Sequence, residues 1–344
     1  STAISLANTG VGFVGVMSML LAGVMIDHLG VRSVFWFAFG FCALGGLLTF
    51  WLVPETPIRS HSRIDWGGAL LLAVSMFSVM LGMSRGAEWG WTSRSTLICF
   101  AIAVVGFAAW VRWELFTEEP LIRLDLISLP SMRYLLIGGG IAYGSTTLMA
   151  TIMPMLLQAP KSTGYGHGLS TTDLAFWMMP GQLAIVAAGF FVGFASRSVG
   201  YRNLLVLGAL LLAIAAVFLA FVPTAPAVLI GLWVVFGFGC MIYAATPNIA
   251  LRVLPETERA IGSNFVGVSQ TMAGTLVSTI GFAVLAQFVV GTHGEVAYEA
   301  AGFRGAFLVA AAAAVIGSVV ALAIPRVIGN AQSAPAGSVD RDRA

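Results

Sequence analysis

Tyr143, Thr147, Thr151, Pro154 and Gln158 stand at i, i+4, i+8, i+11 and i+15 of a stretch, Tyr134 to Gln158, that is otherwise apolar and long enough to cross a bilayer. They offer hydrogen bonds and, at Tyr143, an aromatic face to a solute held within the membrane. Polar groups in hydrocarbon are costly unless they meet partners or water, so a stripe of this kind marks a helix lining a water-filled or solute-filled cavity. A partner helix is expected between Leu229 and Ala250, where Met241, Tyr243, Thr246, Pro247 and Asn248 cluster. Gln182 follows Pro180 and Gly181, and a helix break there would free carbonyls beside a polar side chain.

The expected solute-binding set is therefore Tyr143, Thr147, Thr151, Gln158, Gln182, Tyr243 and Asn248. A second reading stands beside it: hydroxyls also help membrane helices pack, and a threonine can bond its own helix carbonyl. Trp177, Met178, Met179, Met149 and Met153 suit either a polarizable wall or plain core filling. The stripe Asn264, Gly267, Thr271, Gly274, Ser278 and Gly281 favours close helix approach.

Titratable groups are scarce where they would matter most. Asp27, Asp65, Glu114 and Asp173 fall at the ends of apolar runs, and no run carries an acid at its middle. Asp173, near the outward end of its run, is the one candidate for proton exchange. His28, His61, His167 and His293 lie in connections without metal spacing. No Ser/His/Asp set, phosphate-gripping glycine loop or HExxH motif occurs, so no enzyme chemistry, cofactor or metal is expected. Cys42, Cys99 and Cys240 sit apart inside apolar runs and read as buried small hydrophobes.

The elements that position these residues are membrane spans. Of 344 residues 58% are hydrophobic and 9% charged, with a mean hydropathy of +0.94, whereas a soluble protein carries about 25% charge. The net charge of +2 and the absence of a basic, aromatic-interleaved patch exclude nucleic acid as a partner. Apolar runs at 3–26, 33–53, 66–83, 95–115, 134–158, 172–195, 203–222, 226–250, 261–290 and 303–325 predict ten spans in an all-α polytopic membrane protein. Twelve of the 17 basic residues fall in alternate connections on one side, which the positive-inside rule makes cytoplasmic. The first span then runs outward and the C-terminal tail is cytoplasmic. That tail, rich in Ser, Ala, Gly and charge, is expected to be disordered. The chain opens at Ser1 without an initiator Met, so its natural N-terminus is expected upstream.

Two segments repeat one spacing. Gly23, Asp27, Gly30 and Arg32 stand in GVMIDHLGVR; Gly193, Arg197, Gly200 and Arg202 stand in GFASRSVGYR. Each supplies a small residue for close helix approach, a charge at a helix end and a glycine suited to positive φ. By parity the copies lie on opposite sides of the membrane.

Here the sequence resembles the major facilitator superfamily, specifically its fourteen-span drug:proton antiporter branch. The first copy matches the family's loop pattern in full; the second has Arg197 where the pattern has Asp. DHLGVRSVFWF resembles the connection between the family's fifth and sixth spans, with Val31 where Trp is usual. The stretch from Ile64 to Trp91 resembles the first of two spans inserted between the six-helix halves, and EEPLIRLDLI (Glu118 to Ile127) the lead into the second half. The Gly-Pro usual in the fifth span is replaced by Ser18 and Met19. The resemblance implies that the chain carries spans five to fourteen and lacks the first four. It divides the chain into the last spans of the first half (1–53), the inserted pair (54–115), a cytoplasmic connection (116–133), the second half (134–327) and the tail (328–344). What it implies of function is a secondary active transporter in a bacterial inner membrane, exporting small amphipathic or drug-like molecules by alternating access coupled to protons. The two repeat segments are then its gating loops. A uniporter or metabolite exporter, or a truncated remnant that does not transport, is the alternative.

Overall fold

The structure, a computed structural model, describes residues 2–52, 65–117, 129–222, 224–254, 259–292 and 295–325. Its helices in chain order are α1 (Thr2–Leu29), α2 (Val31–Leu52), α3 (Trp66–Trp89), α4 (Arg94–Phe116), α5 (Pro130–Gln158), α6 (Thr171–Ala195), α7 (Tyr201–Ala220), α8 (Pro226–Gly239), α9 (Ile242–Val253), α10 (Arg259–Leu285) and α11 (Ala300–Leu322). Helices suit these apolar runs because only a helix satisfies every backbone N–H and C=O within the segment when no water is at hand. Among the described residues nine helical spans are long and apolar enough to cross a membrane, α8 and α9 together making one of them. With α1, 28 residues long, they bear out the all-α polytopic bundle.

Local signals set the ends. Asp65 caps α3 by accepting from the Gly68 N–H at 2.9 Å, Ser93 caps α4, and Ser170 caps α6. The Trp113 indole N–H, 3.0 Å from Asp65 Oδ1, ties the far end of α4 to the start of α3 and closes that hairpin.

Among the described residues the main buried cluster runs from Met132 to Ile324, among α5 to α11, with Ala103 and Trp110 of α4 buried apart from it. Here α5 and α7 both pack along α11, and α10 lies on α5. Lipid supplies no hydrophobic drive between helices, so van der Waals fit decides their contacts. The α5–α11 contact needs glycine on both sides: a Cβ on Gly317 would stand 2.7 Å from the Ala142 nitrogen and 2.8 Å from the Gly138 oxygen. By contrast α2 has no buried residue, and α1 is held chiefly by α6.

Several expectations are corrected. The eighth run is two helices, interrupted at Cys240 and Met241 just after a Gly-Phe-Gly sequence that weakens the helix. In the ninth run the helix stops at Leu285, where a 3₁₀ turn (Ala286–Phe288) leads into a ribbon of β1 (Val289–Thr292) and β2 (Glu295–Tyr298), with Val289 opposite Tyr298. Despite Pro180, α6 runs unbroken. Gly181 instead admits Trp233 of α8, whose Cδ1 would lie 2.2 Å from an added Cβ. Cys240 is buried as expected, but Cys42 is exposed on α2. The Glu118 to Ile127 segment and the tail 328–344 lie outside the described residues.

Candidate functional site

A cavity of about 660 Å³ opens between α5, α10 and the C-terminal half of α3. Tyr143, Thr147 and Thr151 of α5 form one ladder on its wall, and Thr271, Thr275 and Thr279 of α10 form another at the same spacing. Gly274, between the ladders, lets the two helices close: a Cβ there would come 3.1 Å from Thr147 Oγ1.

Each ladder hydroxyl donates to its own helix: Thr147 to the Tyr143 carbonyl at 3.2 Å, Thr151 to Thr147 at 2.8 Å, Thr271 to Gly267 at 2.9 Å, Thr275 to Thr271 at 3.0 Å and Thr279 to Thr275 at 2.8 Å. A hydroxyl has one proton and two lone pairs, so what remains for a solute is acceptor capacity. Ser278 Oγ, also on this wall, is cut off from solvent and has no hydrogen-bond partner. Among the described residues lining the cavity, none is charged.

Tyr243 of α9 braces this wall from behind. Its ring lies 5.4 Å from that of Tyr143, and its hydroxyl donates to Thr146 Oγ1 at 2.9 Å, which in turn donates to the Tyr143 carbonyl at 2.7 Å. The other expected residues stand apart. Gln158 is exposed at the end of α5, Asn248 donates to the Ala244 carbonyl at 2.8 Å, and Gln182 faces α1 with Nε2 3.9 Å from Met19 Sδ. Asp173 is exposed in the first turn of α6, where its carboxylate accepts from Ser170 Oγ at 2.9 Å. Met149, Met153 and Met178 are core, and Trp177 packs on His167.

Sequence reasoning missed Thr275, Thr279, Met80, Met83, Ser84 and Trp91, all on the cavity wall. The threonines carried a readable signal, the four-residue repeat from Thr271 to Thr279; the α3 residues carried none. At the mouth stands Tyr298 of β2, whose carbonyl accepts from the Tyr165 hydroxyl. Tyr165 lies in the connection after α5, and burial pushes its hydroxyl above the ordinary pKa, so it keeps this proton.

The loop repeats meet different partners. Asp27 Oδ2 accepts from the Thr172 N–H at 2.7 Å, at the N-terminus of α6, and a Cβ on Gly23 would lie 3.0 Å from the Thr171 oxygen. Arg202 donates instead to the Leu322 carbonyl at the C-terminus of α11. Gly30 (φ +79°) and Gly200 (φ +82°) make the turn in each copy. Arg32 and Arg197 are exposed, and Gly193 faces open space.

Bilayer-length helices, with a hydroxyl-bearing cavity whose described lining residues are uncharged, define a polytopic membrane protein. Residues 135–339 match the model of the Major Facilitator Superfamily, and the chain belongs to that family. It is thus a multi-pass protein of a transporter family rather than an enzyme. It is similar to "Multidrug resistance protein Stp" of Mycobacterium tuberculosis, 25% identical over 77% of this chain and 48% of the relative. It is also similar to "Multidrug resistance protein 3" of Bacillus subtilis, 24% identical over 57% and 37%. A fungal relative, "Major facilitator superfamily multidrug transporter mfsC" of Aspergillus fumigatus, is 26% identical over 76% and 52%. The chain spans about half the length of the curated relatives it matches.

Proposed function

We propose that the chain supplies spans five to fourteen of a fourteen-span drug:proton antiporter that exports small amphipathic molecules by alternating access. In this plan residues 1–53, 54–115, 116–133, 134–327 and 328–344 are the end of the first half, the inserted pair, the cytoplasmic connection, the second half and the tail. The protein sits in a bacterial inner membrane with its C-terminus cytoplasmic, as the distribution of basic residues favours. The observation that carries the reading is the cavity of about 660 Å³, within the range that holds drug-sized ligands, with a polar face on α5 and α10. Tyr143, Thr147 and Thr151 contact the solute and Tyr243 backs them. Gln182, at the α1–α6 contact, meets it when those helices part; Gln158 and Asn248 serve at the ends of the path. Of the acids in this chain, Asp173 is the coupling candidate. In the cycle the first loop motif gates, with Asp27 latching α1 to α6, while the second holds α7 to α11 through Arg202.

A second reading, uniport or export of an endogenous metabolite, is favoured by the lack of any acid among the described residues of the cavity wall and by Ser18 and Met19 in place of Gly-Pro. Uptake of a lipophilic dye into everted vesicles carrying the full-length protein separates the two. Antiport predicts uptake that a protonophore abolishes, that Asp173→Asn uncouples, and that Thr147→Val with Thr151→Val lowers about fivefold or more. Uptake indifferent to the protonophore selects the second reading.

A further inference from the structure

The two faces of the cavity come from distant parts of the chain. Opposite the threonine ladders, α3 contributes Met80, Met83 and Ser84, with Trp91 just beyond its C-terminus. Met76, Met80 and Met83 follow at i, i+4 and i+7, so one edge of α3 is thioether throughout. The same edge continues into a smaller cleft of about 30 Å³ that Phe107 and Met272 complete, where α3 meets α10. Met side chains are unbranched and polarizable, and they adapt to flat aromatic surfaces of varied outline. An indole beside them adds a rigid apolar face.

We infer that α3, with Trp91, is the specificity-determining wall of the chamber, and that its ligand is an uncharged, flat amphipath. The apolar face of the ligand lies on Met80, Met83 and Trp91, and its hydrogen-bond donors point to the lone pairs of Thr147, Thr151 and Thr275. This inference rests on the reading of the cavity as the solute site. The threonines favour donors because their own protons are already given to helix carbonyls. A charged ligand is disfavoured because no charged side chain is among the described lining residues, and an unpaired charge taken out of water is strongly penalised.

The test uses full-length protein in membranes, with Cys42, Cys99 and Cys240 replaced and either Ser84→Cys or Thr275→Cys introduced. Reaction with an uncharged maleimide is followed with and without 2-aminoanthracene, a flat three-ring molecule uncharged at neutral pH whose amine carries N–H donors, or proflavine, a flat three-ring cation with the same kind of donors. 2-Aminoanthracene is expected to slow labelling at both positions, and the cation at neither. Met80→Ala with Met83→Ala raises the 2-aminoanthracene concentration for half-protection at position 275 roughly tenfold. Trp91→Ala, a change at a side chain 44% exposed, shifts it in the same direction. Protection at position 275 but not at 84 overturns the α3 wall and leaves the cavity reading standing. Protection at neither overturns that reading, and the wall falls with it. Equal protection by the cation overturns the uncharged class.

Discussion

GVMIDHLGVR and GFASRSVGYR share one spacing and one turn, yet they put opposite charges at opposite helix poles. In the first, Asp27 sits in the last turn of α1, where the macrodipole of its own helix disfavours an anion. Its position makes sense only through α6, whose N-terminal Thr172 N–H it accepts at 2.7 Å. In the second, the residue at position 197 is Arg, a cation just past the C-terminus of α6 that suits its own helix. Arg202 does likewise at the C-terminus of α11. The glycine turn is the common frame, and the charge follows whichever pole lies within reach. The partners differ in kind too: Asp27 bridges to a helix 145 residues away in another part of the chain, while Arg202 braces helices within one compact core. In the proposed cycle the first copy serves as a latch that opens and the second as a strut.

The sharpest break in that comparison is at the motif's first glycine. Gly23→Val would drive a Cβ to within 3.0 Å of the Thr171 oxygen and 3.2 Å of the Thr172 Cα, both backbone atoms that cannot yield cheaply. We expect α1 to part from α6, at a cost of about 1–3 kcal/mol, with transport lost. Gly193→Val meets open space and should leave both stability and transport near wild type. Thermal unfolding in detergent, alongside vesicle uptake, checks both; equal effects at the two sites would erase the distinction. Next in size is Arg202→Ala, which strips the Leu322 carbonyl of its charged donor and should cost about 1–2 kcal/mol of stability. Because a strut does not move in the cycle, transport per folded molecule should hold.

How far the sequence reached follows the same division between what one helix carries and what its neighbours decide. Nine of the ten expected spans and the α5 ladder were legible because hydropathy and four-residue spacing are properties of a single helix. Gln182 went to α1 rather than to the cavity because the neighbour a helical face meets is not written in that helix's own period. The wall formed by Met80 and Met83 was invisible for a related reason: methionine on a cavity face and methionine on a lipid face have the same hydropathy. The ribbon from Val289 to Tyr298 is too short and too apolar at its start to separate from the preceding span. The break at Cys240 could have been suspected from Gly237 and Gly239, yet glycine in membrane helices serves packing as often as it ends them.

Smaller effects refine the latch. Asp27→Asn keeps an oxygen acceptor for the Thr172 N–H but removes the charge that answers the α6 dipole. Stability should stay at wild type while the α1–α6 contact opens more readily, read as faster maleimide labelling of a Thr171→Cys reporter. Unchanged labelling would make Asp27 a static cap.

The smallest effect is expected where the motif is restored on paper. Arg197→Asp rebuilds the first copy's pattern in the second, and if the pattern itself made the latch, a new contact should form. The structure argues the reverse: position 197 is exposed, and the nearest pole is the C-terminus of α6, which repels an anion. The change should therefore lower stability slightly, by about 0.3–1 kcal/mol at low salt, with the loss fading as salt screens it. Unfolding midpoints at two ionic strengths decide the matter. A stabilisation at low salt would mean that the spacing, rather than the helix pole it meets, dictates the contact.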